Sequence, residues 1–162
     1  MNYIGIDPGK SGGIAIIHVD NDTGRVNEAH TYPYSNEKLR ELAYETTLDW
    51  SDDTLCFVEK VGAMPKQGVT SMFNFGVSFG YILGILESHS VPYELVSPQK
   101  WKKHFSLDND KAKSIAKCKA LFPNVSLLPT ERCKKDSDGM AEALLIAQYA
   151  KRTDRQGKLT DE

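Results

Sequence analysis

Cysteine is scarce and scattered. Cys56, Cys118 and Cys133 are odd in number and far apart, which argues against a disulfide scaffold and reads as free thiols in a reducing cytosol. There are no close Cys/His pairs, so a zinc site is not expected. Long apolar runs are missing too. The longest, residues 72–86, is interrupted by Asn74 and Ser78 and falls short of a membrane span. A strand-like run begins at the third residue, so no signal peptide is expected. Net charge is only −2, which on its face argues against a polyanionic partner. No internal repeat or domain boundary is visible. What remains is 40% hydrophobic and 26% charged over 162 residues, long enough for one domain with a real core. That domain is expected over residues 1–152 and in the cytoplasm, with residues 153–162 a polar, disordered tail.

The small net charge hides a strong polarity. Residues 20–53 hold nine acidic and three basic side chains, whereas residues 99–135 hold ten basic and three acidic. A lysine-rich solvated helix would account for the second segment. So would a basic face presented to a nucleic-acid backbone.

The richest stretch is the first. Tyr3-Ile4-Gly5-Ile6 reads as a strand and ends in Asp7, and Pro8 and Gly9 then supply the fixed and positive φ of a tight reversal. Gly5-x-x-x-Gly9-Lys10-Ser11 is one residue short of a phosphate-binding loop and leads into a strand-like run rather than a helix. Asp7 either caps its own turn or opens a site, because a lone carboxylate at the end of a core strand needs a partner or a metal.

Further strands are expected over residues 14–19, 28–34, 54–58 and 91–96. Helices are expected over 37–48 with Asn36 as cap, from 69 or 70 to 88, over 98–104 behind Ser97, over 107–121 and over 136–151. This order describes an α/β protein, a mixed five-stranded sheet with helices on both faces. In the long helix Gly76, Gly80 and Gly84 recur every fourth residue as a flat stripe, each costing roughly 1 kcal/mol relative to alanine. Either the sheet or a second copy of the helix must approach closely there.

Glu59 follows the continuous apolar strand 54–58, so Asp7 and Glu59 both end core strands and meet if those strands are adjacent and parallel. The closing helix is apolar nearly all round apart from Glu142, which therefore needs a partner, and Asp138 lies one turn earlier on the same face. Asp136 is a reserve candidate. Carboxylates gathered with no basic partner repel one another, and an all-oxygen donor set favours hard cations such as Mg²⁺ or Mn²⁺. Two such ions are the standard device of phosphodiester hydrolysis.

Ile4-Gly5-Ile6-Asp7-Pro8-Gly9, Phe57-Val58-Glu59-Lys60, the Gly76/Gly80/Gly84 helix, Val96-x-Pro98-x3-Trp101-Lys102 and Asp138-Gly139-Met140-Ala141-Glu142 together resemble the RuvC family of Holliday junction resolvases, within the RNase H-like superfamily. The likeness runs from Ile4 to about Tyr149, and the loop Ala63-Met64-Pro65-Lys66-Gln67-Gly68 resembles the compact, phage-type branch. The resemblance implies an RNase H-like fold and a homodimeric, Mg²⁺-dependent endonuclease, bacterial or phage-encoded, that nicks four-way DNA junctions symmetrically. It implies Asp7, Glu59, Asp138 and Glu142 as catalytic metal ligands and Lys66, Lys102 and Lys113 as DNA contacts. It further implies Met64 as an apolar wedge at the junction centre and Gly76, Gly80 and Gly84 as the dimer stripe. One departure is that the last two acidic residues stand four apart and end in Glu, where the family commonly has three. The competing expectations are an RNase H-like nuclease acting on RNA or other branched DNA, an actin-like ATPase, and a junction-binding protein without catalysis.

Overall fold

The computed structural model describes residues 1–49, 53–63 and 65–158. Strands β1 (Asn2–Asp7), β2 (Gly13–Val19) and β3 (Val26–Pro33) form an antiparallel meander. Strand β4 (Thr54–Glu59) adds parallel to β1, and β5 (Tyr93–Val96) parallel to β4. The sheet order is therefore β3-β2-β1-β4-β5, five mixed strands with β1 at the centre. The helices are α1 (Asn36–Asp49), α2 (Val69–Ser88), α3 (Pro98–His104), α4 (Lys111–Leu121) and α5 (Asp138–Lys158).

Strand alternation divides the core in two. Ile4, Ile6, Ile14, Ile16 and Val58 face Leu39 and Leu42 of α1 and Ile82 and Leu86 of α2. Tyr3, Ala15, Ile17 and Phe57 face the other way, onto α5 and Trp101 of α3. The same parity carries Asp7 and Glu59 to the α5 side. Helix α5 crosses β1 and β2 and is buried nearly all round from Met140 to Ala147, while α4 packs on its outer side.

Several expected boundaries move, each for a local reason. Ser35, not Asn36, caps α1, its Oγ accepting from Lys38 N at 3.1 Å. Helix α4 starts at Lys111 rather than 107, because Asp110 caps it (Ala112 N to Oδ1, 2.9 Å) and Ser106 turns the chain at φ 58°. Helix α5 starts at Asp138 rather than 136, with Ser137 Oγ accepting from Met140 N at 3.2 Å. It also runs on to Lys158, and Tyr3 donates to Asp154 Oδ2 at 2.7 Å. Of the tail expected to be disordered, residues 153–158 are thus helical, and 159–162 lie outside the described residues.

Helix α2 is the exception to the packing. Its only fully buried residues are Ile82 and Leu86, and its first half leaves Val69, Phe73 and Val77 open, with Phe73 71% exposed. A side chain built at Gly76, Gly80 or Gly84 would meet none of the described residues within 4 Å, so the sheet is not what the stripe accommodates. The helix is 20 residues long, beyond the 72–86 run, and by length and composition alone it could cross a membrane. Asn74 and Ser78 are the polar breaks in its apolar run, and Ser78 Oγ donates to the Asn74 carbonyl at 3.1 Å.

Candidate active site

Asp7 and Glu59 close neighbouring parallel strands, Ile6 pairing with Val58, so two carboxylates leave the same sheet edge on the same face. The turn after β1 is tight, with Gly9 at φ 120° and Gly12 N donating to Gly9 O at 3.0 Å. It must be tight, because the start of α5 lies against it. A Cβ on Gly139 would stand 2.0 Å from the Ser11 carbonyl, and one on Gly5 would stand 2.1 Å from the Ala143 carbonyl. This backbone-to-backbone contact sets Asp138 and Glu142 beside the strand ends.

Glu142 is 2% exposed and accepts from Lys111 Nζ at 2.6 Å and Ser114 Oγ at 3.3 Å, with Lys102 Nζ 3.9 Å away. Asp138 is more open, and Lys111 Nζ lies 3.5 Å from it. Burial pushes the Asp7 carboxyl up to about 8, and the charges of Glu59 and Glu142 push the same way, Lys111 pulls it down and Asp138 pushes it up again. Burial also raises Glu59, against the hydrogen bond from Trp101, whose Nε1 donates to Oε2 at 2.7 Å. For Lys111, burial works to lower the pKa, but the hydrogen bond and charge of Glu142, with Asp7 and Asp138, leave it raised. Four carboxylates and one ammonium thus form one electrostatic unit.

The expectation of an acidic cluster with no basic partner is corrected by Lys111. Its ammonium stands between Glu142 and Asp138, where positive charge is needed to offset buried negative charge. Among the described residues no three His, Cys, Asp or Glu side chains converge tightly enough as they stand to hold an ion. The donor set is nonetheless all carboxylate oxygen, the chemistry that suits Mg²⁺ or Mn²⁺ rather than softer metals, and the position of Lys111 marks where a cation is favoured.

The remaining expected residues distribute as follows. Lys102 is part of the site's wall, within reach of Glu142. Lys113 pairs with Asp108 on the outer surface, and Lys66 is exposed in its loop at φ 70°. Asp136 pairs with Lys119, 2.5 Å from it. Met64 lies outside the described residues. The structure adds Lys111, Ser114 and Trp101 to the site. One signal was available for Lys111: a lysine in the first turn of a helix opposes the helix dipole and needs a local reason. It was masked by the helix start expected at 107.

No protein-family model matches the chain, and no curated protein matches it. Solved structures do. Thermus thermophilus RuvC aligns over 97% of each chain with a TM-score of 0.63 and 18% identity. The same protein in complex with a Holliday junction substrate aligns over 96% of each, with a TM-score of 0.62 and 16% identity. Fowlpox virus resolvase in complex with substrate Holliday junction DNA aligns over 94% of this chain and 98% of its own, with a TM-score of 0.55 and 13% identity. The chain has the RNase H-like fold that RuvC and these Holliday junction resolvases share.

Proposed function

We propose that this protein is a divalent-metal-dependent endonuclease that resolves four-way DNA junctions, acting as a homodimer. The observation that carries the reading is the meeting of Asp7 and Glu59 at adjacent parallel strand ends with Asp138 and Glu142 of α5, in a fold shared with junction resolvases. Asp7, Glu59, Asp138 and Glu142 would hold Mg²⁺ or Mn²⁺, which when bound supplies an activated water and stabilises the leaving oxygen. The chain's own groups supply the rest. The sheet edge and α5 hold the four carboxylates on one side of the scissile phosphodiester. The ammonium groups of Lys102 and Lys111 stand at the same place and can grip its phosphate oxygens.

The homodimer rests on α2. Val69, Phe73 and Val77 are exposed beside a glycine stripe that meets none of the described residues, and two such helices would cover each other. A symmetric dimer would also set two sites against two opposed strands of one junction. Incubation with a synthetic four-way junction in Mg²⁺, Mn²⁺ or Ca²⁺ tests the reading, with paired symmetric nicks expected in the first two. Equal cleavage of three-way, flap or RNA substrates would favour a broader nuclease. Binding without nicking under any ion would leave a non-catalytic junction binder.

A further inference from the structure

We propose that Trp101 is a positioning residue for the carboxylate site: its indole N–H fixes one oxygen of Glu59 and so turns the other toward the divalent cation. The consequence for DNA cleavage rests on the nuclease reading above, whereas the geometry does not. Trp101 has no exposed surface, and its Nε1 lies 2.7 Å from Glu59 Oε2. A core position of this kind could be filled by Phe or Leu without needing any acceptor, whereas a buried indole N–H requires one. Here the acceptor is a strand-end carboxylate.

The donor's neutrality matters. Indole is a donor only and carries no charge, so it orients Glu59 without competing for the role of counter-ion. Lys102 and Lys111 do the opposite, bringing charge to Glu142. Glu142 has a neutral donor as well, the fully buried Ser114 hydroxyl at 3.3 Å. The two carboxylates therefore each have one oxygen engaged by an uncharged, buried donor. Such supporting hydrogen bonds typically carry 10–100-fold in metal affinity or activity. The start of α3 is fixed independently, by the Ser97 cap (Lys100 N to Oγ, 3.3 Å) and Pro98, so the indole is aimed by backbone rather than by Glu59 itself.

Two measurements without DNA test this. In ¹⁵N-labelled protein the Trp101 indole resonance, identified as the one that remains when the second tryptophan is replaced in Trp50→Phe, should move upfield in Glu59→Gln and shift when Mg²⁺ is added. An indole resonance unmoved by Glu59→Gln would overturn the proposal even if Trp101→Phe failed to fold. In Trp101→Phe, which keeps an aromatic ring and removes the N–H, calorimetric Mn²⁺ affinity should fall by about tenfold. Nicking should fall in kcat with KM for the junction unchanged. Mn²⁺ affinity and kcat equal to wild type in a folded Trp101→Phe would also overturn it. A wild type that shows the indole response but nicks no junction would instead sink the nuclease reading and leave the positioning role standing.

Discussion

Two apolar, glycine-bearing helices of this chain meet opposite fates. Helix α5 is enclosed on nearly every side from Met140 to Ala147, and Gly139 at its start lets backbone lie directly on backbone beside the acidic site. Helix α2 is the more apolar of the two along its length, yet its first half is open and its three glycines meet none of the described residues. A glycine in a helix weakens it wherever it stands, so it signals a close neighbour without saying whose. For α5 the neighbour is the β1–β2 turn of the same chain. For α2, under the dimer reading, it is another copy.

The largest effect is expected at α5. Gly139→Val would drive a side chain into the Ser11 carbonyl, 2.0 Å from the Cβ position. The penalty should exceed the roughly 1–3 kcal/mol of an ordinary overpacked site, with a large fall in melting temperature and no nicking. A melting temperature equal to wild type would mean that the helix and turn are not locked together. Asp7→Asn should follow, with nicking down by orders of magnitude and junction binding held within a few-fold in a gel-shift assay. Retained nicking would remove Asp7 from the chemistry.

On α2 the expected effect is on assembly rather than folding. Phe73→Glu should convert dimer to monomer in analytical ultracentrifugation with the melting temperature little changed. Gly80→Ala sharpens the contrast, since with open space around it the isolated chain should gain up to about 1 kcal/mol of helix propensity while dimerisation weakens. Stronger dimerisation would place the contact elsewhere.

A smaller effect is expected from pH. Asp7 titrates near 8 in the folded protein but from 3.8 when exposed, so between those values the folded state keeps a proton that the unfolded state has released. Metal-free stability should therefore decline as pH rises from about 4 to about 8 and level off above. Mg²⁺ should offset the decline, and Asp7→Asn should flatten the profile. The smallest difference expected lies between two lysines. Lys113→Ala should lower the salt dependence of junction binding by about one phosphate contact. Lys111→Ala should act mainly on nicking, because Lys111 alone of the two stands among the carboxylates. An unchanged salt slope in the first would leave Lys113 to its pairing with Asp108.

Much was legible along the chain because it is local. The apolar run ending in Asp7, the run ending in Glu59, and the lone Glu142 in an apolar helix follow from periodicity and from the cost of stranding charge in a core. The five strands and five helices were readable for the same reason, with errors at helix starts where Ser35, Asp110 and Ser137 compete with neighbouring caps. Lys111 was legible only as a lysine set against the dipole at a helix start; its place beside Glu142 depends on α4 lying beside α5, a contact about thirty residues apart that no local pattern encodes. Asp136, the reserve candidate, differs from Asp138 in its partner, pairing with Lys119 where Asp138 lies beside Lys111.

By itself the sequence determined which segments form strands and helices, and which carboxylates end up at their apolar boundaries, since those follow from side-chain chemistry within a few residues. Only the tertiary structure decided that β1 lies beside β4 in parallel, that glycine contacts bring α5 onto the turn, and that a lysine and an indole reach into the acidic cluster. Those outcomes depend on long-range packing, where the shape of one element selects what can lie against it.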